Sequence, residues 1–325
     1  MRIHFENDPD APLALRVTSA MVEEALSRHP EFSQRFDISF NDDPSRFPEC
    51  MQDAEAVFTG RKLALAEAQR ANPFLRWVQI MTAGAESYLR AVPAGITLTN
   101  ASGVHARKGA EFILAAVLML AFRIPHFVTE RDRRLWNPSF GGSLAGRRVT
   151  MLGVGAIGAA AADMLAPFGV HVTGVTRSGH ADAKLVRCIH PDNLDAVLAE
   201  SDILVSTLPL TPDTSGLIDR RRINLLPRGA GIIVVGRAKV LDYDAMLARL
   251  ADGTLDGAVL DVFPIEPIPA GDPLWESPRI LLTPHCSLDD HETYAMACLE
   301  IFADNLARFC ARQPLQNVFD PEHGY

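Results

Sequence analysis

The sequence predicts an α/β protein with two parallel-sheet domains, and three features carry that prediction. Arg148 to Ser178, RVTMLGVGAIGAAAADMLAPFGVHVTGVTRS, reads as one complete strand, glycine turn, helix and second strand. From Arg147 to about His285, strands and helices then alternate, the pattern of a doubly wound sheet. The first hundred residues carry a separate set of short strands, and 325 residues suit two domains.

In chain order, Arg2 to Phe5, Asp37 to Phe40, Ala56 to Thr59, Trp77 to Ile80 and Thr97 to Thr99 read as strands separated by helical segments. They form a small α/β layer of their own. Thr82-Ala83-Gly84-Ala85 directly follows the fourth strand, and a tight turn there leaves backbone N–H groups for an anionic substrate. On local evidence a plain turn explains Gly84 equally well.

Asn100 to Gly109 reads as a crossover, and Ala110 to Ile124 as a helix apolar on nearly all faces, which must be buried. The irregular stretch Phe127 to Phe140 follows, rich in aromatic residues and arginine. Helix and arm together suit packing against a second subunit, with burial inside one chain as the alternative.

Val149 to Leu152 then form the apolar strand of the glycine unit. Gly153, Gly155 and Gly158 fill the three places where a side chain would obstruct the turn, the pyrophosphate or helix packing, and Ala156 and Ile157 lie between them. The following helix aims unpaired N–H groups at the phosphates, so no basic side chain is needed there. Val170 to Val175 is the second strand.

Where an NAD site usually places Asp or Glu, about 20 residues beyond the motif, this chain has Thr176, Arg177 and Ser178. A guanidinium binds a 2′-phosphate through paired donors and two hydroxyls can add hydrogen bonds. NADP(H) is therefore the expected cofactor, with NAD(H) as the alternative should Arg177 be an ordinary solvated arginine.

The later strands are Ile203 to Thr207, Gly231 to Val235, Ala258 to Val262 and Ile280 to Thr283. Ligands bind outside the carboxyl ends of such strands. Those ends carry Thr207-Leu208-Pro209, then Val235 with Gly236-Arg237, then Asp261 followed by Glu266, and finally Pro284-His285. One cation, one carboxylate and one imidazole thus converge on the cofactor's face. The trio suits hydride transfer to a 2-oxo acid: Arg237 holds carboxylate and carbonyl oxygen, His285 donates or accepts the proton, and Glu266 favours the imidazolium and fixes its tautomer. The chemistry needs no metal.

Composition narrows the classes. A net charge of −9 with no long basic run argues against nucleic acid. Five cysteines without C-x-x-C spacing indicate neither a disulfide framework nor a zinc site, which points to a reduced, cytoplasmic location. MRIHFENDPD lacks a signal peptide's apolar core, and the run Phe112 to Phe122 is too short to span a bilayer, so no membrane role is expected.

The segments LGVGAIG, STLPLTPDTSGLI, VVGRAKVLDYDAM, GAVLDVFPIEPIPAGDPLW and TPH resemble the D-isomer-specific 2-hydroxyacid dehydrogenase family. The turn near Gly84, the crossover TNASGVHARKGAEF and the tail NVFDPEHGY share the likeness. The resemblance implies two Rossmann/flavodoxin-like domains, a substrate domain from residues 1–100 and 290–325 and a dinucleotide-binding domain, 101–289, inserted in it. It implies catalysis by Arg237, Glu266 and His285 in the cleft, with Gly84 and Ala85 on the substrate carboxylate and Asp261 near the nicotinamide carboxamide. It also implies a homodimer through Phe112 to Phe140. Two departures stand out: Ala238 replaces the glycine usual after the arginine, and Ala106-Arg107-Lys108-Gly109 is unusually basic.

Within the family, Thr176 in place of an acidic residue is similar to the NADP(H)-using glyoxylate and hydroxypyruvate reductases. The expected activity is reduction of a small 2-oxo acid to its D-2-hydroxy acid. The alternatives are an NAD-linked dehydrogenase of a phosphorylated or bulkier hydroxy acid such as 3-phosphoglycerate, and a nucleotide-sensing binding protein like the C-terminal binding corepressors. A formate dehydrogenase would carry glutamine where Glu266 stands.

Overall fold

A computed structural model describes the chain except for residues 31, 33–35, 181–186 and 322–325, so the end of the tail NVFDPEHGY lies outside the described residues. The chain divides into two compact units, Met1–Val104 with Asp289–Tyr325, and His105–Leu288.

The first unit is built on five parallel strands, β1 (Arg2–Glu6), β2 (Asp37–Asn41), β3 (Ala56–Thr59), β4 (Trp77–Ile80) and β5 (Thr97–Thr99), in the order β2-β1-β3-β4-β5. Alternation along the strands divides the apolar side chains between two faces. Ile3, Phe5 and Trp77 join one core, Val57, Val78, Ile80 and Leu98 the other. The helix Tyr294–Cys310 closes the first face. Its buried residues Ala295, Cys298, Leu299, Phe302, Ala303 and Leu306 recur three and four apart, the stripe a helix needs against a sheet. Phe302 stacks on Trp77 with ring centroids 4.8 Å apart. This apolar stripe is why the chain's last helix belongs with its first strands.

The second unit holds seven parallel strands: β6 (Arg148–Leu152), β7 (His171–Val175), β8 (Arg187–Ile189), β9 (Ile203–Ser206), β10 (Gly231–Val234), β11 (Gly257–Leu260) and β12 (Ile280–Leu282). Their order is β12-β11-β10-β9-β6-β7-β8, which reverses direction between β9 and β6. That reversal opens the crevice where doubly wound sheets take their ligands. Both faces are covered, so the central strands β9, β10 and β11 are buried at every position. Ile232 and Val234 face one core, Ile233 and Val235 the other.

Three elements differ from the sequence expectation, one of them the stretch Phe127 to Phe140, expected to be irregular but helical as far as Asp132. The three-residue strand β8 pairs with β7 and was not foreseen, because it is too short to show a period and begins on a charged residue. The apolar helix runs Ala106–Ala121 and not Ala110 to Ile124. It ends early because Arg123 takes the left-handed conformation, φ 56°, and Pro125 opens a second helix, Ile124–Asp132, bent by 66° from the first. Nor is it buried all round: Ile113, Ala116, Val117 and Leu120 face the core, while Phe112, Leu114 and Leu118 are only partly covered. Beyond it Phe122, Leu135, Trp136 and Phe140 are exposed by 57, 56, 98 and 87%. Among the described residues no single helix is long and apolar enough to cross a membrane.

Candidate active site

The glycine turn joins β6 to the helix Ala156–Leu165, and each glycine is required for a different reason. Gly153 has φ +89°, which only glycine adopts readily, and a Cβ there would lie 3.0 Å from both Thr207 Oγ1 and Leu208 Cδ2. At Gly158 a Cβ would fall 2.2 Å from the Gly153 carbonyl oxygen, so the helix seats on the turn only without a side chain. A Cβ on Gly155 would meet nothing within 4 Å. Packing within the protein therefore does not demand glycine at 155, which leaves its backbone open to approach by a ligand. Gly155 is the N-cap of the helix, with no side chain capping it, and Ala156 and Ile157 form its first turn. The open N–H groups and empty space fit a dinucleotide pyrophosphate.

The end of β9 forms the floor of this turn. Thr207 Oγ1 donates to the carbonyls of Leu152 and Gly153 at 3.1 and 3.0 Å, Leu208 packs under Gly153, and the Pro209 carbonyl accepts the Thr214 hydroxyl at 2.6 Å. At the end of β7, the Thr176 and Ser178 hydroxyls both donate to the His180 carbonyl, at 2.9 and 3.1 Å. Both hydroxyls thereby close the loop, and Arg177 is the exposed guanidinium among the described residues at this strand end.

Gly236, just past β10, lies against the backbone of Thr207 and Leu208, where a Cβ would come within 2.4 Å of the Leu208 carbonyl oxygen. That contact sets where Arg237 leaves the sheet. Arg237 Nη1 donates to the Gly236 carbonyl at 3.0 Å. Ala238, buried, continues into a short 3-10 turn, so the residue in place of the usual glycine is accommodated by packing.

His285 and Glu266 meet directly, with Nδ1 2.7 Å from Oε2. The other oxygen of Glu266 accepts the Phe263 N–H at 2.8 Å. Burial opposes the charge on Glu266; the hydrogen bonds from His285 and Phe263, with the charges of His285 and Arg237, outweigh it and hold the carboxyl below its usual range. His285 itself has φ +49°, and its N–H donates to the Thr283 carbonyl at 2.9 Å. Such a conformation persists only where neighbours enforce it.

Asp261 is one of those neighbours. It is 1% exposed, and its Oδ1 accepts the Thr283 hydroxyl at 2.6 Å and the N–H groups of Cys286 and Ser287 at 3.3 and 3.2 Å. The sequence reading placed Asp261 on the cofactor; the structure shows one of its oxygens holding the histidine loop. Tyr243 was missed altogether. Its buried hydroxyl donates to the Val262 carbonyl at 2.6 Å and secures the start of the loop that carries Glu266.

In the first unit, the turn after β4 has its carbonyls directed into the protein. Thr82 O accepts the Ala101 N–H at 3.0 Å, Gly84 O the Thr82 hydroxyl at 2.8 Å and Ala85 O the Tyr88 N–H at 2.9 Å. Among the described residues the N–H groups of Ala83, Gly84 and Ala85 donate to no protein acceptor. Successive N–H groups left in this way form an anion-binding nest.

Residues 114–287 match the family model described as "D-isomer specific 2-hydroxyacid dehydrogenase, NAD binding domain". A glyoxylate/hydroxypyruvate reductase B of Pectobacterium carotovorum is 34% identical over 236 residues, 70% of this chain and 73% of the relative. The chain belongs to the D-isomer-specific 2-hydroxyacid dehydrogenases. A glyoxylate/hydroxypyruvate reductase B of Yersinia enterocolitica is 31% identical over 90% of this dehydrogenase and 94% of its own length. The crystal structure of a D-isomer specific 2-hydroxyacid dehydrogenase from Xanthobacter autotrophicus Py2, in complex with NADPH and MES, covers 99% of both chains with TM-score 0.81 and 30% identity. This dehydrogenase is thus an oxidoreductase whose second unit is a nicotinamide-nucleotide-binding domain.

Proposed function

We propose that the dehydrogenase reduces a small 2-oxo acid, of the glyoxylate or hydroxypyruvate kind, to the D-2-hydroxy acid with NADPH. The observation that carries this reading is the 2.7 Å His285–Glu266 contact on a strand-end face shared with Arg237 and the open glycine turn. A reduced nicotinamide supplies the hydride when bound. His285 gives a proton to the carbonyl oxygen as charge develops there, and Glu266, ionised, keeps Nδ1 protonated so that Nε2 faces the substrate. Arg237 holds the carboxylate and carbonyl oxygen in register, and the N–H groups of Gly84 and Ala85 take the carboxylate.

Preference for NADPH rests on Arg177 standing where a carboxylate would select the 2′-hydroxyl. The names of the two reductases and the NADPH of the Xanthobacter structure agree with substrate and cofactor. The exposed apolar side chains of Phe122, Leu135, Trp136 and Phe140 support a homodimer through residues 112–140. The test is product analysis: hydroxypyruvate with NADPH should yield D-glycerate, and formation of the L-isomer or of no glycerate would reject the assignment.

A further inference from the structure

The nest at Thr82–Ala85 is not self-supporting. Its first peptide outside the sheet joins Met81 to Thr82, and the Met81 carbonyl accepts the hydroxyl of Tyr294, from the first turn of the helix Tyr294–Cys310, at 2.7 Å. Cys298, one helical turn further on, approaches the same oxygen with Sγ at 3.5 Å, a weak donor beside a phenol. The helix also packs its apolar stripe on the Met81 side chain, which is 4% exposed. A chain of contacts therefore runs from Tyr294 to Met81 O, through Thr82 to the carbonyl of Gly84.

We propose that Tyr294 is a positioning residue for substrate binding, holding the Met81–Thr82 peptide so that the N–H groups of Ala83, Gly84 and Ala85 stay aligned on a carboxylate. This rests on the proposed role of that turn. The reasoning is electrostatic. A peptide is a dipole that can rotate about its flanking bonds, and if the one entering the nest turned over, a carbonyl oxygen would face the anion. Of the donors on Met81 O, only the phenol has the strength and the 2.7 Å reach to prevent that. Burial raises the Tyr294 hydroxyl well above the ordinary phenol range, so it remains a proton donor at any working pH. Tyr294 touches neither the reacting carbonyl nor the hydride in this account, so its loss should be felt in substrate affinity and not in the chemical step.

The experiment compares wild type, Tyr294→Phe and Tyr294→Leu in the full-length chain, with thermal melts to confirm folding. Loss of one neutral hydrogen bond corresponds to about a fivefold change in equilibrium. Tyr294→Phe should raise KM for glyoxylate by roughly that factor, change kcat by less than about twofold and leave NADPH affinity unchanged. Tyr294→Leu should match Tyr294→Phe in KM. In parallel, glyoxylate is titrated onto each protein with NADP+ present while the amide signals of ¹⁵N-labelled Gly84 and Ala85 are followed. If those amides respond in wild type with a weaker dissociation constant in Tyr294→Phe, the proposal stands. If they respond equally in both, or if only Tyr294→Leu raises KM, the hydroxyl has no positioning role and the proposal falls. If they are silent in wild type, the turn is not the carboxylate site, and the underlying reading fails first.

Discussion

Glu266 divides its two oxygens, Oε2 to His285 Nδ1 at 2.7 Å and Oε1 to the Phe263 N–H at 2.8 Å, so the loop that carries the carboxylate also fixes its aim. Among the described residues the imidazole has its side-chain partner on Nδ1 and none on Nε2, an arrangement that suits the proposed proton donor to a substrate oxygen.

Replacing the imidazole should therefore remove proton transfer and little else. His285→Ala is expected to lower kcat by about 10²- to 10⁴-fold. The NADPH dissociation constant, read by nucleotide fluorescence, should change less than about twofold. Near-normal turnover would show that another group donates the proton.

Glu266 has its carboxyl lowered in the folded protein, so the sign of its linkage to pH is fixed. Its contribution to stability is fully present above the unfolded carboxylate value, about 4.3, and is lost as pH falls through the lower folded value. Melting temperatures of wild type and Glu266→Gln should consequently differ most above about pH 5 and converge in more acid solution. A gap that widens toward low pH would contradict the ionised pair.

The glycine turn gives a contrast between neighbours. Gly158→Ala drives a Cβ to 2.2 Å from the Gly153 carbonyl and should destabilise the protein outright, while a Cβ on Gly155 meets nothing within 4 Å. Gly155→Val should melt close to wild type yet bind NADPH at least about tenfold more weakly, since the lost space is the ligand's. Calorimetry and a binding isotherm on the two variants read both effects.

These glycines, the strand ends that carry Arg237, Glu266 and His285, and eleven of the twelve strands among the described residues were legible in the sequence because each is encoded locally: a φ requirement, a spacing or an apolar run. What was not legible is long-range. Tyr243 meets Val262 across 19 positions and Tyr294 meets Met81 across 213, and no spacing rule connects a phenol to a carbonyl at such separations. The same holds for the dual position of Asp261. Its place at a strand end was evident, while its bonds to the N–H groups of Cys286 and Ser287 depend on how two loops fold. The expected phosphate-binding hydroxyls of Thr176 and Ser178 had an acceptor nearer at hand in the His180 carbonyl, a local turn competing with a ligand.

With those hydroxyls engaged, the proposed preference for NADPH rests on Arg177. Arg177→Asp removes a charge-assisted contact with a net value of about 1.5–3 kcal/mol, or roughly 10- to 150-fold. The ratio of kcat/KM for NADPH over NADH should fall by that order. An unchanged ratio would mean that the 2′-phosphate is recognised elsewhere.

Cys298 offers a check on packing beneath the nest. Burial pushes its thiol up to about 12, whereas Cys286 is exposed. Alkylation at pH 8 should label Cys286 rapidly and spare Cys298 until the protein is unfolded, as mass spectrometry of the peptides would show.

The most direct measurement is the rate of cofactor oxidation with glyoxylate, hydroxypyruvate and phenylpyruvate, each offered with NADPH and with NADH. Rapid turnover of NADPH with glyoxylate or hydroxypyruvate, well above that with NADH, is the predicted result. Tight nucleotide binding with no turnover on any of the three would contradict the reductase assignment.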